Sequence, residues 1–168
     1  IVRGNYINCS GRAAELALTP DASAESLARS IAFALKAVEA AKPTDDAFPL
    51  ITTVYADLLA KSAKTAIESG DAQRGLALFE SAHRFAAKSA EAATQAGKTT
   101  ICCRPAGSSA HGGARRLMAE GLYDISLTRQ WIGKDYARVL AAEARKLPPS
   151  DVAKRMELLR RAQNLSPD

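Results

Sequence analysis

The sequence predicts an all-α protein of antiparallel helical hairpins, and three observations carry that prediction. Apolar residues recur at three- and four-residue spacing along most of the chain. Glycine, proline and capping residues fall at the ends of those periodic runs, where helices start and stop. No run alternates apolar and polar residues over strand length, and residues 99–103 are the only β-like fragment.

The helices can be read in order. Ser10 can cap a short helix over residues 11–18, which stops before Thr19-Pro20. Asp21 or Ser23 can cap the next, residues 24–41, with Leu27, Ile31, Leu35 and Val38 along one face. Lys42-Pro43 ends it, because proline disfavours helical geometry in the residue before it. Thr44 or Asp45 opens a third helix with Phe48-Pro49 in its first turn, where proline is tolerated. Its apolar stripe runs Ile51, Val54, Tyr55, Leu58, Leu59, Ser62 and Ala66. Gly70 stands where a left-handed C-terminal cap is expected, and Asp71 can cap a fourth helix at once. Along that helix, to about residue 96, Leu76, Phe79, His83, Ala86, Ala90 and Ala93 form a heptad-like seam.

Residues 98–113 carry no helical period, which is long for a compact domain and marks either a functional or a poorly ordered loop. A helical region follows over residues 114–147, with Leu122, Ile125, Ile132, Tyr136, Val139 and Leu147 expected in the core. Gly121 and Gly133 are points where it would bend or break. Pro148-Pro149 stops it, and Ser150 or Asp151 caps a last helix that Pro167 closes. Val152, Met156, Leu159, Ala162 and Leu165 are expected to point inward from it.

A chain of 168 residues fits one domain, 1–168, large enough to bury a core. Hydrophobic residues make up 47% but aromatics only 5%, so that core must be built mainly from Ala, Leu, Ile and Val. No run approaches the length of about 18 apolar residues that a membrane span requires. The net charge of +5 suits an acidic partner, a nucleic acid or an anionic surface and selects none of them. The chain starts at Ile1 without an initiator Met, as a processed chain or a fragment does, and no targeting segment fixes a compartment. Asn8-Cys9-Ser10 would accept a glycan only in a chain secreted by a eukaryote.

Between Leu59 and Ala82 the chain resembles a tetratricopeptide-type helical hairpin. The Gly70-Asp71 turn, Phe79 and Ala82 fall where that repeat has its turn, its aromatic and its small packing residue. Ala63 and Gly75 supply small residues at its two positions of close helix approach. Leu159, Ala162, Leu165 and Ser166-Pro167-Asp168 resemble the end of another such unit. The likeness covers about a third of the chain, lacks the closing proline after the first hairpin and shows no recurrent period of about 34 residues. It implies a stack of hairpins that binds a protein or peptide. Helices of this length also suit an up-and-down bundle.

The motifs argue against several chemistries. Residues 107–114 have the glycine spacing of a phosphate-binding loop, but Gly113 and Ala114 stand where its lysine and hydroxyl are needed, so nucleotide hydrolysis is rejected. Gly112-Gly113 followed by Arg115 and Arg116 could hold an anion at a helix start, or simply make a turn with solvated arginines. Cys102, Cys103 and His111 lack the spacing of a zinc site, and nothing orients the histidine for nucleophilic catalysis. A bridge from Cys9 to Cys102 or Cys103 is open to an exported chain; otherwise these cysteines pack. His83 reads as a packed or edge residue on an apolar seam.

Trp131, Tyr123, Tyr136 and Leu127 hold most of the aromatic and apolar surface of the fifth helical region. Such residues more often fill the largest gap in an aromatic-poor core, but they are also favoured interface anchors. Lys154, Arg155, Arg160 and Arg161 make the last helix basic, yet no aromatic residue there could stack on bases, and a solvated face is the simpler reading. These observations predict a non-enzymatic scaffold that holds a protein or peptide, with no cofactor and no catalytic or metal-binding residues. Tyr123, Trp131, Tyr136, Arg115 and Arg116 are the candidate partner-binding residues. A structural subunit of a larger assembly and a nucleic-acid binder using the last helix are the alternatives.

Overall fold

A computed structural model describes residues 23–45, 47–95 and 125–166. They form five helices: α1 (Ala24–Ala40), α2 (Phe48–Glu68), α3 (Ala72–Gln95), α4 (Ile125–Lys146) and α5 (Val152–Leu165). No strand occurs among the described residues, and the fold class is all-α. No helix among them is long and apolar enough to cross a membrane. The predicted helix at 11–18, the loop at 98–113 and the start of the fifth helical region lie outside the described residues.

Ser23 caps α1 by accepting the Ser26 N–H at 3.1 Å. Its innermost residues are Ser30, Ala34 and Ala37, with Leu27, Ile31, Leu35 and Val38 only partly buried around them. The predicted stripe is thus rotated: small side chains take the line of contact because they let the helices approach, and the larger ones fill the flanks.

Neither Thr44 nor Asp45 caps α2. The residue before it is Ala47, without a side-chain cap, and the Asp45 carboxylate accepts the Lys42 N–H at 2.9 Å instead. Pro49 falls in the first turn, where its missing N–H leaves no gap in the helix. A single apolar stripe understates this helix. Residues 48–56 are all buried, as are Leu58, Leu59, Ala60, Ala63 and Ala66, because α2 packs against α1, α3 and α4. Burial all round exposes two hydroxyls to the core, and both find partners. Thr52 donates to the Phe48 carbonyl at 2.6 Å, while Thr53 lies 2.9 Å from the Pro49 carbonyl and 2.6 Å from Ser89 Oγ. Ser89, on α3, donates to the Pro49 carbonyl at 2.5 Å, tying the two helices together.

The α2–α3 turn follows the sequence closely. Gly70 adopts φ +90°, a region L side chains rarely occupy, and its N–H reaches the Ile67 carbonyl while the Asp71 N–H reaches that of Ala66. Asp71 then caps α3 by accepting the Arg74 N–H at 3.1 Å. Past the turn, Gly75 packs against Ile67 and the Ala63 carbonyl, so the two small residues sit together where the helices approach most closely. Phe79 and Ala82 continue the buried face of α3.

Helices consecutive in the chain pack on one another, and α2 also reaches α4. Helix α1 makes no close backbone approach to α4 or α5, so the described helices form an open stack. Gly133 does not break α4, which runs unbroken to Lys146. It is buried instead where α5 returns, and a Cβ there would meet the Leu165 carbonyl at 3.3 Å. Asp151 precedes α5 but makes no side-chain cap. The inward face predicted for α5 is partly wrong. Ala162 and Leu165 do turn toward the core, together with Leu158, but Val152, Met156 and Leu159 are 60%, 45% and 41% exposed. Nothing among the described residues lies beyond α5 to cover them.

Candidate functional site

Two features stand out on the α4–α5 hairpin: a polar joint where it meets α3, and a groove on its outer side. At the joint, the Tyr136 ring stacks on Phe79 at 5.9 Å between centroids, and Arg161 donates to the Tyr136 hydroxyl at 2.6 Å. Arg161 also reaches Glu80 on α3 at 3.6 Å, and His83 tilts against Tyr136 at 6.5 Å. Burial raises the Tyr136 pKa above its ordinary value, although the Arg161 charge opposes the shift. Burial, helped by the Arg129 charge, lowers that of His83. Tyr136 is 4% exposed, so its ring joins the helices, while Arg161 and Glu80 lie at the exposed rim of the cluster.

The groove is an open cleft of about 620 Å³ between α4 and α5. Its floor is Ala137, Ala141 and Ala162, and its edges carry Lys134, Arg138, Gln163 and Ser166. The α4 edge continues along one helical face, since Leu127, Trp131, Lys134 and Arg138 follow a four-three-four spacing and all are exposed. Val152, Met156, Leu159 and Gln163 repeat that spacing on α5, again all exposed. From the groove edges these stripes continue toward Trp131 on α4 and toward Leu159 and Met156 on α5.

The charge of the hairpin is one-sided. Residues 125–166 contain nine Lys and Arg against four Asp and Glu, so the hairpin alone carries the whole net charge of +5. Asp135, the acid nearest the groove cations, is engaged by Lys64 of α2 at 2.6 Å and more loosely by Arg138 at 3.4 Å. Lys134 has no carboxylate partner among the described residues.

Of the residues expected to meet a partner, Trp131 is 66% exposed, the most of any large apolar side chain among the described residues. Tyr136 is instead a core residue, 4% exposed, with Phe79 of α3 stacked on its ring and Arg161 of α5 set over it. Tyr123, Arg115 and Arg116 lie outside the described residues, as do Cys9, Cys102, Cys103 and His111. The sequence reading passed over Lys134, Arg138 and the alanine floor. The signal was available in the matching four-three-four spacings, but which side of each helix faces outward depends on the packing.

The fold defines an all-α protein of packed helical hairpins. Comparison of the chain with family models, curated proteins and solved structures finds no match.

Proposed function

We propose that this chain is a non-enzymatic interaction domain that holds a partner protein on the outer face of the α4–α5 hairpin. The observation that carries this reading is an alanine-floored groove edged by Lys134 and Arg138, on a hairpin that also leaves Trp131, Met156 and Leu159 exposed. Large side chains gathered on one face mark binding surfaces more often than isolated ones do. Tryptophan and methionine are favoured contact residues, and arginine at the rim adds directional hydrogen bonding. The tetratricopeptide-like spacing around Gly70, Gly75, Phe79 and Ala82, together with the open stack of helices, supports a scaffold of that type.

Photo-crosslinking tests the reading. A photo-reactive residue at Gln163 or Met156 should trap a discrete protein in extracts of the native source, and one at Glu25 on α1 should not. Equal trapping from all three positions, or none from a folded protein, would refute it.

A further inference from the structure

We infer that the groove's occupant is an acidic amphipathic α-helix of the partner, docked on α4–α5 as α4 docks on α2–α3; this rests on the interaction reading above.

The register of the two hairpins supplies the first argument. Asp71 precedes α3 and Asp151 precedes α5. Counting from these acids, Phe79 and Leu159 occupy equivalent positions, as do Ala82 and Ala162. Phe79 is 0% exposed because Tyr136 of α4 stacks on it, whereas Leu159 is 41% exposed. The first hairpin thus has a helix seated where the second is left uncovered by the described residues, one turn from the groove residues Ala162 and Gln163.

Groove shape makes the same choice. Ala137 and Ala141, one turn apart on α4 and opposite Ala162 of α5, leave a shallow channel between two antiparallel helices. Small residues of this kind admit the side-chain ridge of a third helix at an interaxial distance of about 8–10 Å. A peptide adding as a β-strand would need a sheet edge, and the described residues have no strand.

Charge selects the helix's polar face. Where α4 seats on the first hairpin, Lys64 of α2 bridges to Asp135 of α4 at 2.6 Å. On the second hairpin the groove edge carries Lys134, which has no carboxylate partner among the described residues, with Arg138 one turn on, and the hairpin as a whole carries a net charge of +5. A docked helix with leucines toward Met156 and Leu159, and glutamates toward Lys134 and Arg138, would satisfy both edges. A nucleic acid would answer the charge but leave Met156, Leu159 and the alanine floor without apolar contact.

Trp131 is the chain's only tryptophan and lies on the α4 edge, so its fluorescence reports binding directly. The probes are three synthetic peptides of about 18 residues, or five helical turns. One has a leucine face flanked by glutamates, one has the same face flanked by lysines, and one is a scrambled form of the first. A single-stranded oligonucleotide of similar charge is the fourth probe. The acidic helix should shift Trp131 emission to the blue and gain helicity on binding. Its affinity should fall at least about tenfold with Lys134→Glu/Arg138→Glu and, separately, with Leu159→Lys. These positions are exposed, so the variants should keep the wild-type circular dichroism and unfolding midpoint.

Equal binding of the lysine-flanked or scrambled peptide would overturn the inference, as would tighter binding of the oligonucleotide. A concentration-dependent dimer dispersed by Leu159→Lys would do so too, by making a second copy the occupant. If every helix fails while crosslinks from Gln163 still trap a protein, the inference falls and the interaction reading stands. Failure of both would remove both.

Discussion

The Phe79 and Tyr136 rings lie 11° from parallel with centroids 5.9 Å apart, and this stack is the joint between the α2–α3 and α4–α5 hairpins. Phe79→Ala should destabilise the protein by about 3–5 kcal/mol, the usual cost of emptying a buried phenylalanine site. Tyr136→Phe keeps the ring and removes only the hydroxyl that accepts from Arg161, so its cost should be about 0.5–1.5 kcal/mol. Urea unfolding of both variants checks the order. Equal losses would mean that the hydrogen bond, not the stack, holds the joint.

Gly75 should resist replacement. A helix interior favours alanine over glycine by about 1 kcal/mol, yet a Cβ at Gly75 would collide with the Ile67 side chain and come within 3.1 Å of the Ala63 carbonyl. Overpacking of this kind costs about 1–3 kcal/mol, so Gly75→Ala should be neutral to destabilising. Gly75→Ala combined with Ile67→Ala should lose less than the sum of the two single changes, which thermal unfolding of the double-mutant cycle would measure.

Two buried hydroxyls should behave in opposite ways. Ser89 donates to the Pro49 carbonyl and meets Thr53, so Ser89→Ala should cost about 1 kcal/mol. Ser30 is 1% exposed and its Oγ has no hydrogen-bond partner among the described residues. Ser30→Ala removes a desolvated group and improves helix propensity, and should stabilise by about 1 kcal/mol. A loss of stability in the alanine variant would reveal a partner for that hydroxyl.

His83 sets a pH dependence whose sign follows from its lowered pKa. The unfolded chain takes up a proton at His83 near its ordinary value of 6.5, before the folded protein does. Between that value and the lower folded one, the unfolded state holds more protons, so stability should fall as pH drops through this window and then level off. His83→Gln should flatten the unfolding midpoint across pH 5–7. An unchanged slope in that variant would assign the effect to other groups.

Trp131 should contribute to binding and little to folding. At 66% exposure its removal empties no core site, so Trp131→Ala should change stability by less than about 0.5 kcal/mol. Quenching by iodide should be close to that of a free indole in the unbound protein. A large stability loss or a shielded indole would place Trp131 in the core after all.

Much of the helical framework was legible in the residues because helix ends are local events. Ser23, Pro49, Gly70, Asp71 and the Pro148-Pro149 stop act through backbone groups within a few positions of themselves, so type and order suffice to find them. The close approach of Ala63 and Gly75 could be anticipated for a related reason, since only small residues tolerate it. The site was far less legible. Tyr136 and Trp131 are aromatic neighbours on one helix, and their local surroundings in the sequence do not separate core from surface.

The sequence by itself determined an all-α protein, several of the points where its helices start and stop, and its basic charge, because these depend on local backbone chemistry and composition. Only the tertiary structure decided that α2 is buried almost all round, that small residues rather than Leu27 and Leu35 line the α1 contact, and that Leu159 faces out while Tyr136 faces in. The reason is physical: periodicity specifies that a helix has an apolar face, but which neighbour covers it, and whether any does, depends on helices distant in the chain.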